Sequence, residues 1–299
     1  MIVAAHNEES VLDGCLSSLL QDAAPDELEI VVAANGCTDG TVAVARAHPG
    51  VQVVELPRPG KTAALNAAEQ VATSFPRVYL DADIRITPRQ IRALCAAVTA
   101  PAVARCQPAP LAACPRRRMD LRGRPLLVRG YTVVNQRLPA FASGLFGRGV
   151  VVLSAAGRAR FGTFPSVIAD DLFLDSLFVA AEKCQVQEVE VVVEAPLSTA
   201  DLLRRLERVR RGNRMLREQL KARGTSSAAP SRPLTWLTHV VLRRPWLAPA
   251  AIIYATITLI AELRSRRGGP VAWGRDESTR AARPPQDGDE SRAHAVRRP

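Results

Sequence analysis

The sequence predicts an α/β fold built on a doubly wound, mainly parallel sheet flanked by helices, and three observations carry that prediction. Short apolar runs alternate with stretches whose apolar residues recur at helical spacing, from Met1 through Val98. The runs are apolar at successive positions, as strands buried on both faces are. The first, second and fourth end in polar clusters, and ligands of open α/β sheets sit at such carboxyl ends.

In order, Met1-Ile2-Val3-Ala4-Ala5 reads as a strand, closed by His6-Asn7-Glu8-Glu9-Ser10, after which Val11, Leu12, Cys15, Leu16, Leu19 and Leu20 mark a helix. Leu28 to Ala34 gives a second strand, Asn35 to Gly40 a turn and Thr41 to His48 a short helix. Val51 to Leu56 is a third strand, Lys61 to Thr73 an alanine-rich helix and Arg77 to Leu80 a fourth strand. Thr87-Pro88-Arg89-Gln90 offers a capping threonine, a proline at the first helical position and a glutamine at the third, opening a helix through Val98. Right-handed crossovers bring the loops after the first, second and fourth strands to one edge, so Glu8, Asn35, Asp39 and Asp83 are expected to converge.

Asp81-Ala82-Asp83 directly follows the fourth strand. Side chains two apart on an extended segment point the same way, so the two carboxylates would share a pocket. Hard oxygen ligands of this kind suit Mg²⁺ or Mn²⁺, held by one or two carboxylates plus the phosphates of a substrate. An isolated Asp-x-Asp is otherwise a common polar turn. Gly60-Lys61-Thr62 imitates the end of a P-loop, but position 55, where that motif needs glycine, is Glu55. No Gly-x-Gly-x-x-Gly opens a helix after the first strand, which sets aside a dinucleotide oxidoreductase.

The chain has 299 residues and a formal charge of +11, an arginine excess, since Lys61, Lys183 and Lys221 are the only lysines. With neither zinc-finger spacing nor an aromatic-rich basic platform, nucleic acid is not the expected partner. Six scattered cysteines without a Cys-x-x-Cys pair fit reduced thiols in a cytoplasmic compartment.

Taken together the ordered motifs resemble the family-two glycosyltransferases, whose nucleotide-sugar domain has the GT-A fold. They are Ala5-His6-Asn7-Glu8-Glu9, Ala34 to Thr41, Gly60-Lys61-Thr62-Ala63-Ala64-Leu65-Asn66, Asp81-Ala82-Asp83 and Ala169-Asp170-Asp171. The resemblance implies that Glu8 and Asn35 hold nucleobase and ribose, with Asp39 in the same loop and Lys61 near the base or diphosphate. It places Asp81 near the ribose and Asp83 on the metal ion, with Asp81 beside it. Asp171 matches the family's general base, Asp170 stands where a glutamate is usual, and Arg208 is what remains of a Gln-x-x-Arg-Trp motif. The implied activity is metal-dependent, inverting transfer of a sugar from a nucleoside diphosphate sugar to a hydroxyl, as a single addition. The acceptor is expected to be lipid-linked or a carbohydrate. A sugar nucleotidyltransferase and a noncatalytic nucleotide-sugar binding protein are the alternatives.

Departures from the family are Ala4 for proline, Ala34 and Asn35 for acidic residues, and Val209 for tryptophan. The first strand begins at Met1 without the usual lead-in residues, so the natural start is expected upstream. Asp170-Asp171 also reads as a helix start, with two acids at the positive end of the dipole. Lys61 at a helix start can meet an anion or cap a turn, and Arg208 lies in a basic run that also suits a solvated face. His6 is expected to be structural.

Gly144 to Gly149 before Val150-Val151-Val152-Leu153 reads as a glycine-rich loop entering a strand, a candidate acceptor wall. Arg116 to Arg129 carries six arginines around a glycine and a proline, and suits a mobile loop that could meet a phosphorylated acceptor, with solvation the expected explanation. Pro245 to Ala261 is apolar, flanked by arginines and bearing Trp246 and Tyr254, which fits a helix on or in a membrane as well as a packed core helix. The expected organisation is a catalytic domain at 1–225, a linker plus apolar, membrane-associated helix at 226–264, and a disordered tail at 265–299. The expected location is the cytoplasm, at the inner face of the cell membrane.

Overall fold

The structure is a computed structural model that describes residues 1–99, 109–222 and 235–267. Strands β1 (Ile2–Ala5), β2 (Ile30–Asn35), β3 (Val51–Leu56) and β4 (Arg77–Asp81) alternate with helices α1 (Glu9–Leu20), α2 (Thr41–Arg46), α3 (Lys61–Glu69) and α4 (Pro88–Thr99). There follow β5 (Ala112–Asp120), α5 (Leu126–Asn135), α6 (Ala140–Ser143), β6 (Val150–Leu153), α7 (Ala155–Arg158), α8 (Asp170–Ser176) and β7 (Lys183–Glu194). Two long helices, α9 (Thr199–Ala222) and α10 (Ala248–Arg267), complete the described chain.

The strands form one seven-stranded sheet in the order β3-β2-β1-β4-β6-β5-β7. The first four are mutually parallel, β5 is parallel to β7, and β6 alone runs antiparallel, between β4 and β5. This is the expected doubly wound, mainly parallel sheet, and strand alternation shows why both faces are covered. Val3, Ile30, Val32, Val78 and Leu80 join α1, α2 and α4 in one core, while Ile2, Val31, Ala33 and Tyr79 join α3 and α8 in the other. At the start of α4 the reciprocal cap forms as expected, Thr87 N donating to Gln90 Oε1 at 3.0 Å and Gln90 N to Thr87 Oγ1 at 3.4 Å.

The run from Arg116 to Arg129 corrects the expectation of a mobile loop. Arg116, Arg117 and Arg118 lie on β5, Arg129 lies on α5, and only 121–125 connects the two. Charge density suggested solvation, but β7 supplies the missing carboxylate: Glu190 takes Arg116 at 2.6 Å and Arg118 at 2.8 Å.

A third core is mainly helical. Val128, Tyr131 and Val134 of α5, Leu202 and Leu203 of α9, and Ala251, Tyr254, Ile257 and Ala261 of α10 pack together. Tyr131 stacks on Tyr254 with ring centroids 5.1 Å apart, and the missing side chain of Gly130 admits Ile253, whose Cδ1 lies 2.7 Å from where a Cβ would stand. Pro249 falls in the first turn of α10, where proline costs no hydrogen bond. The segment Pro245–Arg266 is apolar and long enough to cross a membrane, yet one face of α10 is seated on α5 and α9 while Ile252, Leu259 and Leu263 face outward. Ser265, Arg266 and Arg267 continue α10, and the expected linker up to residue 234 and tail from residue 268 lie outside the described residues.

Candidate active site

The loops after β1 and β2 are sewn together by side chains the motifs supply. Asn7, at φ 52°, uses Oδ1 to accept the Thr38 N–H at 2.7 Å. Glu8 N donates to Thr41 Oγ1 at 2.7 Å. Asn35 is 1% exposed: its Nδ2 donates to Ala5 O at 2.7 Å and its Oδ1 accepts Gly60 N–H at 2.9 Å, so one amide ties three loops. His6 Nδ1 lies 2.6 Å from Asn35 O, consistent with the structural role expected of it. Asp39 accepts Thr41 N–H at 3.1 Å and Glu9 N–H at 3.3 Å, a capping role; unlike Glu8 and Asn35, it is not among the cleft-lining residues.

Lys61 opens α3 and points into a carboxylate cluster. Its Nζ lies 2.7 Å from Asp81 Oδ1 and 3.0 Å from Asp170 Oδ2, so it bridges the end of β4 and the start of α8. Burial pushes its ammonium pKa down, but Asp170 and Asp81 outweigh that and hold it well above the usual lysine range. Burial, with Asp171 and Asp81 nearby, pushes Asp170 up to about 6 against the pull of Lys61. Gly149, at φ 68°, completes the packing: its carbonyl accepts Asp81 N–H at 2.8 Å, and a Cβ would stand 2.5 Å from Ile84 Cγ1.

Asp171, next along α8, faces the glycine-rich loop. Its Oδ2 accepts Gly147 N–H at 2.8 Å and its Oδ1 accepts Leu172 N–H at 2.8 Å. Asp170 and Asp171 therefore do begin a helix, as one reading of the pair expected, and both also line the cleft. Exposed Asp83 lines it too, as does Arg208 from α9.

That cleft has a volume of about 1270 Å³ and runs from the β1 and β2 loops past Asp83 and Asp171 to α5, α9 and α10. Its far wall includes Arg117, from the basic run that the sequence allowed to meet a phosphorylated acceptor, and Tyr131, Phe141, Arg205 and Tyr254, which the sequence did not mark as cleft residues. Arg148 was missed as well. It is 1% exposed, and its guanidinium donates to the carbonyls of Pro115 at 2.8 Å, Phe146 at 3.0 Å, Gly144 and Phe141, which fixes the loop carrying Gly147. The available signal was a charged residue enclosed by Gly147 and Gly149 ahead of an apolar strand.

Among the described residues no three His, Cys, Asp or Glu side chains are grouped to hold a metal ion by themselves. The donor set suits a cation only if substrate oxygens complete its shell, which is how Mg²⁺ and Mn²⁺ are commonly held. Of the Asp-x-Asp pair, Asp81 is already engaged by Lys61, and Asp83 is the carboxylate at the cleft surface.

A mainly parallel sheet with this strand order, a carboxylate pair closing β4 and a cleft across the strand ends are those of a GT-A-like fold. Residues 1–141 match the family described as Glycosyl transferase family 2, so the resemblance read from the motifs holds over that stretch. Asp170, Asp171 and Arg208 lie beyond it. No curated protein matches the chain. A mannosyltransferase from Pyrobaculum calidifontis, solved in complex with GDP-Man and Mn²⁺, is similar at 24% identity and a TM-score of 0.53, over 89% of this chain and 77% of that one. Mannosyl-3-phosphoglycerate synthase from Rubrobacter xylanophilus is similar at 19% identity and a TM-score of 0.52, over 76% of this chain and 75% of that one. At these identities the likeness establishes the fold.

Proposed function

We propose that this glycosyltransferase moves a sugar from a nucleoside diphosphate sugar to an acceptor hydroxyl in one inverting displacement assisted by Mg²⁺ or Mn²⁺. The observation that carries the reading is a single cleft lined at one part by Asp83 and at another by Asp171. At about 1270 Å³ it exceeds the roughly 300–1,000 Å³ of a usual small-molecule pocket, and so has room for donor and acceptor together.

Glu8 and Asn35, at the base of the loops they organise, are the proposed nucleoside contacts, with Asp81 held toward the ribose by Lys61. Asp83 is the residue that would hold the divalent ion, which when bound to the donor supplies charge neutralisation for the departing diphosphate. Asp171 takes the acceptor's proton as the new bond forms, an effect worth roughly 10² to 10⁴-fold. Its two hydrogen bonds, from Gly147 and Leu172, fix the orientation of the carboxylate. Asp170 steers Lys61 rather than the acceptor. Arg208 is assigned to the cleft's α9 wall, where it would meet phosphate.

The proposed catalytic unit, expected at residues 1–225, takes in α10 as well, because Tyr254, Thr258 and Glu262 line the cleft. The outward apolar row of α10 is proposed to rest on a membrane surface, which suits a lipid-linked acceptor as well as a carbohydrate one. The deciding experiment incubates the full chain with radiolabelled UDP- and GDP-sugars, Mn²⁺ and candidate acceptors, and assigns product stereochemistry by NMR. Release of pyrophosphate from a nucleoside triphosphate, or a product with retained configuration, would overturn the reading.

A further inference from the structure

Strand β5 sorts its arginines by face. Arg116 and Arg118 project to one side, where both pair with Glu190. Arg117, between them, projects to the other side and lines the cleft. Its guanidinium lies 4.1 Å from the centroid of the Phe141 ring, and its Nη1 donates to Gly147 O at 3.0 Å. The N–H of the same Gly147 donates to Asp171 Oδ2 at 2.8 Å, so a single residue joins that guanidinium to the proposed base. Arg205 reaches the same cleft from α9.

Unlike several of their neighbours, these two arginines have no carboxylate within ion-pair distance among the described residues. Arg122, Arg124, Arg210 and Arg214 each have a carboxylate within ion-pair distance, as Arg116 and Arg118 do. Burial and the guanidiniums of Arg148 and Arg205 push Arg117 down to about 10, which leaves it cationic at neutral pH in a crowd of like charge. Such clustering is costly unless an anion enters, and guanidinium forks match phosphate and carboxylate oxygens.

We infer that the Arg117 end of the cleft is an anion site, and that the acceptor carries a phosphate or carboxylate group which Arg117 and Arg205 bind while its hydroxyl lies beside Asp171. This rests on the transfer reading, because it needs Asp171 as the proton's destination. The hydroxyl oxygen forms the bond to the anomeric carbon as the bond to the diphosphate breaks. The diphosphate leaves with the electron pair, and the hydroxyl proton passes to Asp171. The donor's own diphosphate is a poor candidate for this site: β6 separates β5 from β4, so the two strands that carry Arg117 and Asp81 are about 10 Å apart.

The test is calorimetric titration of the full chain with sn-glycerol 3-phosphate and, separately, with vesicles of pure phosphatidylglycerol. Glycerol and phosphatidylcholine vesicles serve as uncharged and zwitterionic controls. Saturable binding of the phosphate probe is expected, weakened roughly tenfold or more by Arg117→Gln and by Arg205→Gln and less by Arg117→Lys, with nucleoside diphosphate binding in Mn²⁺ unchanged. Arg205→Gln lies on a helix face and keeps the test valid should Arg117→Gln fold poorly. Arginine-dependent binding of the vesicles alone assigns the anion to a lipid headgroup; binding of the soluble ester assigns it to a small acceptor. Failure of both probes, retention of binding in both glutamine variants, or loss of nucleotide binding instead overturns the inference. If glycerol phosphate binds as expected while no nucleoside diphosphate binds with Mn²⁺, it is the donor reading that falls.

Discussion

The two ends of the cleft are built on opposite electrostatic plans. At the β1–β4 end, Lys61 is clamped between Asp81 and Asp170, and Asn35 spends its amide on two loops, so polar groups are tied to one another. At the β5 end, Arg117 and Arg205 line the cavity, Arg117 over the Phe141 ring, and among the described residues neither has a carboxylate within ion-pair distance. The first arrangement is a prebuilt frame whose charged groups already engage one another; the second leaves its charge to be met by what enters. Damage to the frame should therefore show in stability and donor binding, and damage to the open end in acceptor handling.

The largest effect is expected between the two ends. Asp171→Asn should cut transfer by about 10² to 10⁴-fold while leaving donor affinity within about twofold, measured by initial rates and calorimetry. Turnover at the wild-type rate would remove the base assignment. Asp83→Ala should abolish the Mn²⁺ dependence of donor binding and remove several kcal/mol of transition-state stabilisation. A variant whose donor affinity still rises with Mn²⁺ would place the ion elsewhere.

Within the prebuilt frame, Lys61→Met leaves Asp81 and Asp170 facing each other without the cation between them. A stability loss of about 1–3 kcal/mol is expected in urea unfolding, partly restored by adding Asp170→Asn. Additive losses in the double variant would show that the cluster is not a unit. The pH profile probes the same group. Asp170 in the folded protein titrates near 6, above the usual carboxylate value of about 4, so the folded state binds more protons than the unfolded between those values. This group's contribution is therefore full below about pH 4 and is lost as pH rises through about 6. Asp170→Asn should gain on the wild type over that window in thermal melts, and parallel slopes would contradict the shift.

The smallest effect is expected on the outer face of α10. Ile252→Gln with Leu259→Gln should leave turnover of a soluble acceptor unchanged but reduce sedimentation with anionic vesicles. Equal sedimentation would take the membrane away from this helix.

The prebuilt end was largely legible in the sequence because its chemistry is local. Strands buried on both faces leave continuous apolar runs, and a short loop after each must carry its contacts within a few residues, as Asn7-Glu8 and Asp81-Ala82-Asp83 do. Lys61 was flagged for an anion, but its two partners come from β4 and from α8, a pairing that no spacing encodes. The open end was harder. Arg116 to Arg118 looked like a solvated run because the carboxylate that makes two of them structural, Glu190, sits on a strand far along the chain. With Glu190 unseen, nothing separated Arg117 from its neighbours. Helix α10 likewise reads as membrane-like from composition, and only the stack of Tyr131 on Tyr254 and the notch at Gly130 show where its inner face goes.

The seating of α10 carries a practical consequence for anyone redesigning this chain. Truncation ahead of Ala248, the obvious route to a better-behaved sample, would strip off the side of the reaction chamber formed by Tyr254, Thr258 and Glu262 and bare the greasy flank of α5. Hydrophilic replacements at Ile252, Leu259 and Leu263 would blunt stickiness from outside and leave the room's masonry standing.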